Sequence, residues 1–190
     1  MKKYFKLFLL LIFTLILSGC TKEEVTSVGT GKTININTLD GVYDFSIKVK
    51  EVVGFSKLKD VFGDENEYYE VVLHTENKRK DGKFFLGMLE FYLVDKDNKV
   101  VGEQSYLFNT LSKLNEVPSE IDPLKKEDVH LYFYTYDEEN NKTKVDTESI
   151  DKLLIKVPNE MKENNTFNYK KYYIALEKEE KKDEQIKEHE

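Results

Sequence analysis

Few residues in this 190-residue chain have the type and spacing to do chemistry, and the first of them is its single cysteine, Cys20. A thiol is the one group here that can be alkylated directly, and Cys20 follows Leu17-Ser18-Gly19, small neighbours that let a backbone enter a protease cleft. Three histidines, His74, His130 and His189, are scattered, with no His-x-Glu, His-Glu-x-x-His or paired-cysteine spacing, so no zinc site is expected. No Gly-x-Ser-x-Gly elbow is present. Gly29-Thr30-Gly31-Lys32-Thr33 lacks the first glycine of a phosphate loop, whose place is held by Thr26, and follows no predicted strand. Asp95, Asp97 and Asn98 resemble the start of a calcium loop, but Lys99 and Val100 stand where a ligand and a glycine are needed, so the segment reads as a hairpin turn. Glu138, Glu139, Asn140 and Asn141 form a charged turn with oxygens suited to a hard cation. Tyr132, Tyr134 and Tyr136 recur at every second position, a possible interaction face for a sugar or a peptide if they are not covered by a second layer. Catalytic residues, metal ligands and cofactors are therefore not expected.

The elements that position these groups begin with the N-terminus. Lys2, Lys3 and Lys6 precede an apolar run from Leu7 to Leu17, broken only by Thr14. Eleven residues are too few for a permanent span, which needs about 20, so the run reads as the core of a signal peptide. Its end, Leu17-Ser18-Gly19-Cys20, resembles the bacterial lipobox, in which the cysteine receives a diacylglyceryl group before signal peptidase II cuts in front of it. An ordinary secretory signal or an uncleaved anchor explains the cysteine less well, because a free thiol in an exported protein is a liability. The expectation is a signal peptide over residues 1–19 and a lipidated Cys20 at the outer face of the cell membrane.

The chain carries 29 basic and 36 acidic residues, a net charge of -7, and loss of the lysine-bearing leader makes the remainder more acidic. An acidic surface does not neutralise phosphates, so nucleic acid is an unsuitable partner. Thr21 to Lys32 is polar and aperiodic and reads as a flexible spacer, with the tether continuing to residue 41. Alternation then dominates. Val42 to Val52, Glu67 to Thr75, His130 to Tyr136, Ile150 to Val157 and Phe167 to Leu176 read as strands, with Pro158 stopping the fourth. Phe84 to Val94 is either one strand buried on both faces or two meeting at Gly87, and Asp95 to Lys99 turns it into a hairpin with Val100-Val101. Ser105 to Thr110 is a short apolar piece, and Leu111 to Asp122 is a helical turn or a loop, with Pro118 and Pro123 preventing a long element. Residues 177–190 hold seven acids and four lysines, a solvated tail. About seven strands without a long helix predict an all-β body over 42–176, a single antiparallel β-sandwich.

Tyr69 to Asn77 is a hydrophobic strand running into a Glu-Asn turn, and Phe91 to Lys99 is an aromatic, Leu, Val, Asp hairpin. In these patterns residues 42–176 resemble the immunoglobulin-like domain of lipoproteins in low-GC Gram-positive bacteria. The family's Pro-Gly before the penultimate strand is absent, with Pro123 to Glu127 in its place. The resemblance implies a surface-displayed, non-catalytic domain that binds an envelope protein or an extracellular ligand. The alternative is a solute- or metal-capturing lipoprotein that serves a transporter.

Overall fold

The computed structural model describes residues 25–29, 31–59, 65–105, 120–137, 139, 141–162 and 166–176. Residues 1–24, where the expected leader with Leu17, Ser18, Gly19 and Cys20 falls, the 106–119 stretch, Glu138, Asn140 and the 177–190 tail with His189 lie outside the described residues.

Period-two alternation produces strands throughout, and the body is all-β. In β2 (Ile34–Thr38) Ile34, Ile36 and Thr38 are buried while Asn35 and Asn37 face water. In β3 (Tyr43–Lys59) the buried apolar set is Tyr43, Phe45, Ile47 and Val49. β4 (Glu65–Asn77), β9 (Lys126–Thr135), β10 (Lys152–Met161) and β11 (Phe167–Ala175) supply the rest of the large ladder, together with the β6 (Glu90–Val94) and β7 (Val100–Gln104) hairpin. With the edge strand β1 (Val25–Val28) they form one nine-stranded sheet in the order β1-β11-β10-β6-β7-β9-β4-β3-β2. β5 (Phe84–Phe85) and β8 (Glu120–Ile121) make a separate two-stranded ribbon.

The large sheet is nearly closed into a barrel. Its β2 edge returns to β10, where the Thr38 hydroxyl donates to the Pro158 carbonyl at 3.0 Å. Closure wraps one apolar core drawn from both halves of the sheet, including Phe45, Leu73, Phe91, Leu131, Phe133 and Ile155. Phe84, from the ribbon, stacks on Phe45 with ring centres 4.1 Å apart and plugs one end of that core. The 17-residue β3 curves around it through two register shifts, at Val49/Glu51 and Val52/Gly54. Gly54 adopts φ +87°, a conformation that a side chain disfavours, and so supplies the second bend.

Several expectations need correction. Among the described residues eleven β elements stand where about seven were expected, and nine of them form one continuous ladder. β5 and β8 are two residues long, below the length at which alternation is readable, whereas β7 extends the Val100-Val101 arm expected of the hairpin. Pairing is not purely antiparallel, because β1 runs parallel to β11. Residues read as a tether thus contribute two strands, since Thr26 and Ser27 between Val25 and Val28, and Asn35 and Asn37 among Ile34, Ile36 and Thr38, give these segments a polar average. Pro158 does not stop β10. Pairing to β6 ends at Lys156, so at Pro158 that side of the strand has no ladder partner and a missing N–H costs little; the strand continues against β11 past a register shift. The 84–94 run divides as its second alternative proposed, into β5, a 3₁₀ turn at Leu86–Met88 and β6.

Candidate interaction face

With Val49, Leu73, Val129, Leu131 and Phe133 committed to the core, alternation sends the polar residues of β3, β4 and β9 to the outer face. Two hydrogen-bonded sets cross these strands. In one, Asp128 accepts from His74 Nδ1 at 2.8 Å and from the Lys50 ammonium. Those two hydrogen bonds, Lys50 first, hold the Asp128 carboxyl below its usual range. In the other, Glu70 accepts from the Ser56 hydroxyl at 2.8 Å and from His130 Nδ1 at 2.7 Å. Each histidine is thus satisfied by a carboxylate on a neighbouring strand. Ser56 donates to a carboxylate and not to an imidazole, so the set does not form the serine-to-base relay that activates a nucleophile. Its work is to tie three strands together.

The tyrosine series lies on this same face, and Leu131 and Phe133 face the core as alternation predicts. The stripe is packed, however. Tyr132 is 2% exposed and forms a second small cluster with the fully buried Tyr68, bordered by Leu58 and Tyr134. Tyr68 and Tyr134 hydroxyls lie 3.0 Å apart, and the Lys142 ammonium sits over the Tyr134 ring. Tyr136 is half-buried at an isolated bridge to Lys142. Tyr134, also half-buried, lines a shallow cleft of about 350 Å³ with Glu67, Lys142 and Lys144. Such a cleft suits hydrogen bonding to a polar ligand more than stacking on a broad aromatic surface.

The turns behave as turns. Asp95 Oδ1 accepts from the amides of Asp97 and Lys99, and Asp137 Oδ1 from those of Glu139 and Asn141, so both carboxylates close their own loops. Among the described residues no group of three or more His, Cys, Asp or Glu side chains comes together as a metal site.

Two features were not visible in the sequence. Asn77 is fully buried, and its carboxamide donates to the carbonyls of Ile121 at 2.9 Å and Gly82 at 3.2 Å while accepting from the Arg79 amide. It pins the 78–83 loop and the β5–β8 ribbon to the end of β4. The ribbon in turn walls a mostly apolar cleft of about 600 Å³, lined by Val42, Tyr43, Phe84, Phe85 and Met88 with Arg79 and Lys83 at its polar side. The signal that pointed to it is Phe84-Phe85 itself, since a two-residue strand turns one of two adjacent aromatics outward: Phe84 is buried and Phe85 is not. Comparison with family models, curated proteins and solved structures finds no match to this chain.

Proposed function

We propose that the chain is a membrane-anchored, extracytoplasmic bacterial lipoprotein, non-catalytic, whose β body serves protein or ligand interaction at the cell envelope. One observation carries the reading: the only cysteine lies directly behind Leu17-Ser18-Gly19 at the end of a positive-then-apolar leader. A diacylglyceryl thioether at Cys20 supplies two acyl chains at once, each buried methylene contributing about 0.8 kcal/mol to attachment. The reading includes a relation to immunoglobulin-like lipoprotein domains, which rests on the Tyr69–Asn77 and Phe91–Lys99 patterns of the sequence. Polar residues on the open face of β3, β4 and β9 are satisfied within the sheet, which favours recognition over group transfer.

The test is Cys20→Ala expressed in a Gram-positive host. The variant precursor keeps its leader and takes up no radiolabelled palmitate, whereas the wild type is cleaved and labelled. Continued labelling of the variant overturns the proposal. The partner is sought by crosslinking in intact cells followed by mass spectrometry.

A further inference from the structure

Strand directions bring one set of chain reversals to a single end of the barrel. β2 and β4 run toward that end and finish there at Thr38 and Asn77, while β9 and β6 start from it at Lys126 and Glu90. β10 rises to it at Met161, and β11 returns from it at Phe167. The end therefore carries the turn after β2, the 78–83 loop, the β5–β8 ribbon, the 122–125 turn and the β10–β11 reversal.

Exposed apolar side chains concentrate on it. Of eight large hydrophobic residues that stand exposed among the described residues, five lie here, Val42, Phe85, Met88, Leu124 and Met161, at 49 to 62% exposure. Of the other three, Val100 lies at the opposite end, where β6 turns into β7, Val53 lies partway down β3, and Val25 lies on the edge strand β1 level with Lys171. Three acids at the apolar end are engaged by cations, Asp81 by Arg79 and Glu120 and Asp122 by Lys83, while Glu160 accepts from Asn168 and Glu127 stands exposed. Lys80, Lys125 and Lys162 stand exposed beside the apolar side chains. Apolar wedges ringed by lysines match a lipid interface, which offers hydrocarbon below a layer of phosphates.

The route of the chain points the same way. β1 runs parallel to β11, from a level with Lys171 toward Ile174, and β11 starts at the apolar end. β1 is accordingly entered from that end, and only Thr21 to Glu24 separate it from Cys20. Five Cα–Cα steps span at most about 18 Å.

We propose that this end of the barrel is a membrane-docking face that rests on the bilayer holding Cys20, with Phe85 and Met88 inserted at the headgroup boundary. The proposal rests on the lipoprotein reading for its short tether and adds the orientation of the body. So short a tether raises the effective concentration of the face at the bilayer, so that weak insertion suffices.

The chain has no tryptophan, so one introduced indole is an unambiguous reporter. The experiment uses full-length Phe85→Trp, Leu124→Trp and Val100→Trp proteins in phosphatidylglycerol and phosphatidylethanolamine vesicles, plain or with brominated acyl chains, with the mass of the Cys20 peptide measured in parallel. The first two replace side chains already half or more exposed, so folding is retained. Emission of Phe85→Trp and Leu124→Trp falls about twofold in brominated vesicles, consistent with insertion to the acyl boundary, and that of Val100→Trp does not change. Adding Met88→Asp to Phe85→Trp removes the quenching while the protein stays on the vesicles. Equal emission in both vesicle types with Cys20 acylated overturns the docking face and leaves the anchor standing. Quenching with Cys20 unmodified supports the docking face and overturns the anchor. A blue shift that grows with protein concentration and ignores bromine assigns the face to a second copy of the chain and overturns the proposal.

Discussion

The Thr38 hydroxyl donates to the carbonyl of Pro158 at 3.0 Å, joining the β2 edge of the sheet to β10 across 120 positions of sequence. Thr38 is 5% exposed, so its hydroxyl has little water to fall back on, and no residue other than Thr both packs with a methyl group and donates here. Thr38→Val keeps the shape and removes the donor, leaving a carbonyl unpaired in a dry seam. The expected cost is about 1 to 2 kcal/mol, measured as a lower urea midpoint with an unchanged slope. Thr38→Ser retains the bond and recovers most of the loss.

Gly102 sits where β7 passes β9. A Cβ built there lies 2.9 Å from the Tyr134 carbonyl oxygen and 3.1 Å from a Leu93 side-chain carbon. Because the nearer obstacle is backbone, the strand and not a rotamer has to move. Gly102→Ala therefore destabilises the body by about 1 to 3 kcal/mol despite the higher strand propensity of alanine. Thermal unfolding gives the check, and an unchanged melting temperature contradicts the close approach.

Asn77 holds the apolar end together through its bonds to Ile121 and Gly82. Asn77→Ala strands the buried Ile121 carbonyl, at an expected cost of about 1 to 3 kcal/mol. The loss is local before it is global. Amide exchange of residues 78–85 accelerates more than that of β10 and β11, whose ladder does not touch Asn77.

Phe84 fills the same end from above, stacked on Phe45 and edge-on to Tyr43. Phe84→Ala removes a nearly fully buried ring and leaves a cavity that the two-residue β5 cannot collapse into. About 3 to 5 kcal/mol is expected, read from equilibrium denaturation.

Glu90 carries the acid dependence. Burial pushes its carboxyl up, but hydrogen bonds from Tyr92, Lys156 and Tyr169 outweigh that effect and leave it below its ordinary value of 4.5. A carboxyl lowered by folding adds stability above its unfolded-state pKa, and that contribution disappears as pH falls through the folded-state value. Stability thus drops from about pH 4.5 downward, and Glu90→Gln makes this part of the profile shallower. The group is about one-third exposed, so solvent screening keeps the effect modest. A Glu90→Gln protein whose acid limb parallels the wild type contradicts this role.

Local patterning determined a great deal by itself. Alternation at Phe45, Ile47 and Val49, at Leu131 and Phe133, and at Leu153 and Ile155 identifies the strands and the side each turns to the core, because a pleated backbone forces period two on whatever one face buries. The Asp95–Lys99 hairpin is equally local, since its carboxylate closes its own turn. The proposed leader and lipidated Cys20 rest on the amino-acid sequence alone, without reference to the fold. Tertiary structure decided the rest: the parallel seat of β1, the passage of β10 through Pro158, the packing of Tyr132 beneath its neighbours, and the gathering of Val42, Phe85, Met88, Leu124 and Met161 at one end. Each depends on which strand lies beside which. Pairing between residues as distant as Thr38 and Pro158 is set by closure of the whole sheet around a shared core, and such closure leaves no mark on the spacing of neighbouring residues.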